Sequence, residues 1–250
     1  MRQVRPGSRV LGRGVTALLA VAALAALVAP AGVRLAAAQE TPTPSPITIQ
    51  TRVQFLHAAP NLGSVEISFN YDKQVDGFSY GEVSDWLDIP PGATEVSMNA
   101  DRRGMNYLVF DTVYPIPAGN DYYSVLTDQI LLNGPYDRSP IPDGKARVQI
   151  VHASVTLPAV NVVATGSDVD FATQLAFPRA SDYAVVPAGT YNLEIKLASS
   201  GQTALTVPNV TLSGDTVYEI VIMGTVNDTD HPLTTTMLQD TTVPRDSTPS

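Results

Sequence analysis

The chain has no cysteine in 250 residues, which excludes disulfides, thiolate metal sites and a cysteine nucleophile. Its 24 Asp and Glu against 15 Lys and Arg give a formal net charge of −9, and no basic cluster offsets that charge. A phosphate backbone is therefore repelled, and nucleic acid is excluded as a partner.

Residues 1–38 read as a signal peptide. Arg2, Arg5, Arg9 and Arg13 form a basic start without acids, and Val15 to Ala29 is an unbroken run of Val, Ala, Leu and Thr. Ala36-Ala37-Ala38 then offers a small-residue cleavage site. The run is shorter than the roughly 20 apolar residues that cross a bilayer, and Arg34 blocks its extension, so cleavage is favoured over anchoring. A membrane contact would exist only through an uncleaved N-terminal segment. Removal takes five Arg and no acid, leaving a mature chain of net charge −14. An Ala-rich leader before a cysteine-free chain reads as bacterial export, to the extracellular space or the cell surface. Residues 39–46, with Thr41, Pro42, Thr43, Pro44, Ser45 and Pro46, form a polyproline-like linker.

The octapeptide Arg52-Val-Gln-Phe-Leu-His-Ala-Ala59 then returns 95 residues later as Arg147-Val-Gln-Ile-Val-His-Ala-Ser154, with five identities. Ser84-Asp85-Trp86 is echoed by Ser181-Asp182-Tyr183, Pro91-Gly92 by Ala188-Gly189, and Gly119 with Tyr123 by Gly214 with Tyr218. A repeat this long is a duplicated domain, assigned here to residues 47–138 and 139–239, with 240–250 a disordered tail. The turn-rich stretch Asn133–Gly144 marks the boundary.

Inside each repeat the hydrophobic period is two. Val65, Ile67, Phe69 and Tyr71 alternate with polar residues, as do Tyr191, Leu193, Ile195 and Leu197, which predicts strands with one wet face. Ala146–Val151, Tyr218–Met223 and Leu108–Tyr114 are more continuously apolar and suit central strands. Turn signals separate these runs, and no amphipathic helix stands out. The fold class is all-β: two tandem antiparallel β-sandwich (immunoglobulin-like) domains of about seven strands each. Gly119 before Tyr122-Tyr123, and Gly214 before Tyr218, suggest a tyrosine corner, in which the hydroxyl returns to the backbone at a sandwich turn.

The Arg-Val-x-x-x-His-Ala-Ser/Ala strand, the Ser-Asp-Tyr/Trp step and the Pro187–Tyr191 turn resemble the bacterial family called domain of unknown function 4397, over roughly residues 47–240. The second copy fits the motif better. Leu157-Pro158-Ala159-Val160 stands where that family usually has Asp-Ala-Pro-Ala-Val, whereas the first copy has Asn61-Leu-Gly-Ser-Val65. The resemblance implies secreted or surface tandem copies and brings no activity.

His57 and His152 share a strand face with Val53 and Phe55, or with Val148 and Ile150, and so should point to the core edge. A buried imidazole bonded to backbone or to a neighbouring Ser or Asp explains them better than a general base or metal ligand. Ser84, Asp85, Ser181 and Asp182 are the candidate partners, which makes all six repeat-signature residues structural. For hydrolysis the chain shows no Gly-x-Ser-x-Gly elbow and no Gly-rich oxyanion loop. Glu66, Glu82, Glu95, Glu194 and Glu219 are spread singly and read as mostly solvated. Asn227–His231 reads as a polar turn, so no metal and no cofactor is expected. Tyr107, Tyr114 and Tyr122 are candidate ligand contacts. Consecutive Tyr122-Tyr123 should place one ring outward, and Val217 replaces Tyr122 in the second copy.

The reading is a non-catalytic binding or structural module with an extracellular protein or polysaccharide partner. One alternative is a carbohydrate or cell-wall binder using exposed Tyr of domain one; the other is an extracytoplasmic hydrolase with an unrecognised site. A cleft joining His to carboxylates favours the enzyme, a flat row of exposed aromatics the sugar binder, and an open sheet edge protein assembly.

Overall fold

The computed structural model describes residues 51–127, 131–135 and 137–241, so the leader, the Pro-rich linker and residues 242–250 lie outside the described residues. The first repeat contributes β1 (Arg52–His57), β2 (Ser64–Phe69), β3 (Asp72–Phe78), β4 (Leu87–Asp88), β5 (Gly92–Arg102), β6 (Met105–Ile116), β7 (Asp121–Leu126) and β8 (Leu131–Pro135). The second contributes β9 (Lys145–His152), β10 (Val160–Ala164), β11 (Asp170–Leu175), β12 (Arg179–Ala180), β13 (Ala184–Pro187), β14 (Gly189–Leu197), β15 (Thr203–Leu212), β16 (Thr216–Met223) and β17 (Thr234–Asp240).

Each repeat folds into two sheets. In the first they run β4-β1-β7-β8 and β3-β2-β5-β6; in the second, β12-β9-β16-β17 with β13 also on β9, and β11-β10-β14-β15. The all-β sandwich architecture holds in both copies. One pair in each is parallel, β1 beside β7 and β9 beside β16, so the first strand of each repeat lies beside its penultimate one. The short β4, β12 and β13 bring the described strands above the expected seven.

Side-chain alternation divides the buried residues among three cores. Val53, Phe55, Ile67, Val96, Met98 and Leu126 belong to the core of the first repeat. Val148, Ile150, Val162, Leu193, Ile195 and Ile220 belong to that of the second. A third core joins the repeats: Leu56, Tyr123 and Val125 from one, Val151, Val217, Val221 and Met223 from the other, with Ile141 of the connecting segment. Strands β1, β7, β9 and β16 are therefore covered on both faces. This explains the continuous apolar runs of β9 and β16, since a strand buried on both faces has no wet side to encode.

The same argument corrects Leu108–Tyr114. That run lies in β6, an edge strand, with Leu108 and Val113 each 58% exposed. Tyr71 leaves the predicted strand. Asn70 and Tyr71 both have positive φ, 49° and 70°, and form the two-residue turn between paired Phe69 and Asp72, leaving Tyr71 exposed. Positive φ at both central residues is the hairpin geometry that matches strand twist. Asn133–Pro135 belong to β8 rather than to a connecting loop, and Asp240 is buried at the end of β17 rather than opening the tail.

Candidate functional site

The six signature residues form the same clamp in each copy. His57 is fully buried at the end of β1; its Nδ1 accepts from Ala59 N at 3.3 Å, which leaves Nε2 to donate to Gly63 O at 3.1 Å. His152 repeats the Nε2 bond, to Pro158 O at 3.2 Å, but its buried Nδ1 has no hydrogen-bond partner among the described residues, and burial holds its imidazole below the usual range. The partners are loop carbonyls, not the Ser-Asp steps. Ser84 Oγ accepts from Phe55 N at 2.9 Å and donates to Asp85 O at 2.7 Å; Ser181 Oγ accepts from Ile150 N at 3.0 Å and donates to Asp182 O at 2.7 Å. Gln54 and Gln149 complete the pattern by donating to Ser84 O and Ser181 O. Asp85 and Asp182 face solvent. Each Ser hydroxyl thus stands in for a missing ladder partner where the short edge strand is interrupted.

The interface between repeats holds polar groups that the sequence reading missed. Glu219 lies on the outer face of β16 beside Val217 and Val221, 5% exposed, and its Oε2 has no hydrogen-bond partner. Burial pushes its carboxyl up to about 8. Tyr123 and Tyr183 are both raised, first by burial and next by the charge of Glu219, which places all three in one neighbourhood. Glu219 is therefore not a wet strand position. The signal was its setting, Val-Tyr-Glu-Ile-Val, apolar on both parities. At the rim Arg52 forks onto Asp121, Nε to Oδ1 at 3.1 Å and Nη2 to Oδ2 at 2.5 Å, and its guanidinium lies 4.8 Å from the Trp86 ring. Arg52 also approaches Asp240 of the second repeat at 3.9 Å, and Tyr80 meets His231 edge-on at 4.8 Å. In the second copy Arg147 donates to three carbonyls, Asp137 O, Ser139 O and Pro140 O, at 2.8, 2.9 and 3.3 Å, and lies 3.4 Å from the partly exposed Asp137 carboxylate.

Strand register also corrects the repeat alignment. Val53 pairs with Tyr122 and Val148 with Tyr218, so Tyr122, not Tyr123, is the counterpart of Tyr218, and Val217 answers to Asp121. Tyr218 forms the tyrosine corner, its hydroxyl accepting from Ser213 N at 2.9 Å. Neither of the consecutive tyrosines stands out in solvent. Tyr123 is buried in the inter-repeat core, and Tyr122 packs half-buried against the core of the first repeat.

Two of the three candidate ligand tyrosines do come together. Tyr114 and Tyr122 border a cavity of about 120 Å³ between the sheets of the first repeat. Buried Val53, Phe55, Ile89, Val96 and Ser124 make its floor. Half-buried Tyr114, Ile116 and Tyr122, with exposed Pro115, make its mouth. Tyr107 lies elsewhere, with Met105 at the tip of the β5–β6 hairpin, so the three rings do not make a flat row. In the Asn227–His231 loop, Asp228 Oδ1 accepts from Asp230 N and His231 N at 2.8 and 3.1 Å, a self-contained turn.

Comparison with known proteins places the architecture in a family. Residues 51–163 and 146–249 each match the domain of unknown function DUF4397. The chain belongs to that family. No curated protein matched it. Among solved structures, the carbohydrate-binding module CBMbc (family CBM26) of Eubacterium rectale Amy13K, in complex with maltoheptaose, shares 10% identity. That likeness covers 76% of this chain and 96% of the module at a TM-score of 0.25. The tip fimbrial protein Mfa3 of Porphyromonas gingivalis shares 10% identity over 76% of this chain and 98% of its own, at a TM-score of 0.23. Likeness at these scores carries no argument about function.

Proposed function

We propose that this DUF4397 protein is an exported, non-catalytic binding module. Its two repeats, residues 47–138 and 139–239, are locked together by a shared core and present the open edge of β6 to a protein partner outside the cell. The export half of this reading rests on the leader in residues 1–38.

The observation that carries the binding half is the contrast between the two outer edge strands. Free edges are normally blunted by Pro, Lys or a bulge that turns them away. β15 has Pro208 followed by Asn209 at φ 58°, with register shifts against β14. β6, Met105–Ile116, carries no Lys or Arg, has its one proline, Pro115, beside its C-terminal end and a single register shift against β5, and exposes Met105, Leu108 and Val113. An extended segment laid along it would gain main-chain hydrogen bonds and cover those side chains. His57 and His152 each donate to a loop carbonyl, which supports the non-catalytic reading over the hydrolase.

Immobilised residues 39–250 should capture a protein from the extracellular and envelope fractions of the source cells. A Leu108→Lys/Val113→Lys double variant should lose that protein while melting like the wild type, since surface changes shift stability by only about 0.5 kcal/mol. Capture of a cell-wall polysaccharide, unaffected by the two lysines, would overturn the edge-strand reading.

A further inference from the structure

We propose that the cavity of the first repeat is a binding site for a small neutral molecule. Its ligand would have an apolar body about the size of one aromatic ring and a single hydroxyl or carbonyl at its outer end. This goes beyond the edge-strand reading and does not rest on it: the mouth takes Tyr114, Pro115 and Ile116 from the end of β6, but the site itself lies between the sheets.

Size sets the body. A cavity of about 120 Å³ is close to the roughly 150 Å³ apolar cavity that stays dry and admits benzene. The floor contributes Val53, Phe55, Ile89 and Val96, with Ser124 Oγ as its polar atom, and no charged side chain lines the site. A charged ligand would lose its hydration without a partner, and a hexose would bury several hydroxyls against carbon. Both are excluded by chemistry. The mouth sets the polar end. Among the described residues the hydroxyls of Tyr114 and Tyr122 have no hydrogen-bond partner, although the equivalent hydroxyl of Tyr218 is held by Ser213 N.

The fold does not require this space. Phe55 pairs with Ser124 where Ile150 pairs with Ile220, so the second repeat carries Ile where the first carries Ser on the same inward face. Gly92 and Gly189 occupy matching places opposite Ile116 and Leu212, which aligns Val96 with Leu193. At both positions the first repeat has the smaller side chain. In the second repeat Ile220 and Leu193 are buried in the core. The first repeat thus keeps smaller side chains at two inward positions that the second fills with Ile and Leu, beside two hydroxyls with no partner among the described residues.

The test uses residues 39–250 with phenol and benzene as probes and glucose as the control. Both aromatics should raise the melting midpoint and should move the methyl resonances of Val53, Ile89 and Val96 saturably, phenol binding more tightly than benzene. Glucose should do neither. Ser124→Ile and Val96→Leu each copy the second repeat and fill the cavity; each should weaken phenol about tenfold or more, as extra methylenes in a pocket do. Where Ser124→Ile fails to fold by circular dichroism, Val96→Leu decides. No saturable shift with either aromatic would overturn the proposal, as would undiminished phenol affinity in the folded filled variants or methyl shifts confined to other residues. The Leu108→Lys/Val113→Lys variant should keep phenol, so loss of partner capture and loss of the cavity ligand are separate results.

Discussion

The two repeats carry the same clamp and differ on the faces around it. His57 and His152, Ser84 and Ser181, and Gln54 and Gln149 make matching hydrogen bonds at matching places. The differences fall where strands meet something other than their own ladder. Ser124 answers to Ile220 in the intra-repeat cores, Tyr123 to Glu219 and Asp121 to Val217 on the joined faces, and open β6 to blunted β15 at the rims. Identity between the copies therefore reports what the fold needs, and divergence marks the surfaces free to acquire a role.

The largest expected effect comes from the Tyr123/Glu219 pair. Glu219 is protonated in the fold up to about pH 8, against 4.5 for a free side chain, so the native state holds a proton that the unfolded chain has released. Its contribution is complete below pH 4.5 and lost as pH rises through about 8. The full swing is about 5 kcal/mol at most, a large share of the roughly 5–15 kcal/mol that holds a domain. His152 works in the opposite sense. Its depressed folded value means stability grows as pH rises through the unfolded histidine range. Denaturant titrations from pH 5 to 9 should show wild-type stability falling, and Glu219→Gln level or rising. Trp86, the single tryptophan, packs against the inter-repeat core, so its emission should shift red with alkaline pH in the wild type only. A wild-type stability that does not fall across that window would remove Glu219 from the buried interface.

Next in size is the contrast between the two arginines. Asp121 is fully buried and Arg52 is its bidentate partner, so Arg52→Met leaves a carboxylate with Arg138 at 3.3 Å as its remaining cation. Breaking a buried pair from one side costs about 3–5 kcal/mol, and the second cation should keep the loss near the lower figure. Arg147→Met removes donors from three carbonyls and a 3.4 Å ion pair to the partly exposed Asp137 carboxylate, which water can resolvate, at about 1–2 kcal/mol. Equal midpoints for the two variants in urea would dissolve the distinction.

Much of this architecture was legible in the sequence, and the failures share one cause. Period-two alternation gave the strands of the outer sheets, such as β14, because each has one wet face. The repeat octapeptide located the clamp because its residues act within a single sheet. The misreadings lay where a second surface intervened. Continuous apolar runs were taken alike in β16 and β6, yet one lies between two cores and the other at a free edge. Glu219 looked solvated because alternation within one repeat carries no information about the repeat packed against it. Tyr122 and Tyr123 were offset by one residue from their true counterparts because the Gly-to-Tyr spacing changes between copies, and only the parallel register fixes the alignment. The cavity was invisible for the same reason, since Ser124 matters only once it is known to face inward opposite the position of Ile220.

The smallest expected effect separates those aligned tyrosines. Tyr218→Phe removes the hydroxyl that accepts from Ser213 N, a net cost of about 1 kcal/mol. In a chain of this size that lowers the melting midpoint by roughly 2–4 °C. Tyr122→Phe removes a hydroxyl at the cavity mouth with no partner among the described residues, and should leave the midpoint within error while weakening phenol relative to benzene. The pair thus distinguishes a hydroxyl that serves the fold from one that serves a ligand. A Tyr122→Phe loss as large as that of Tyr218→Phe would mean that both copies close their corner in the same way, and the mouth of the cavity would have no free donor to offer.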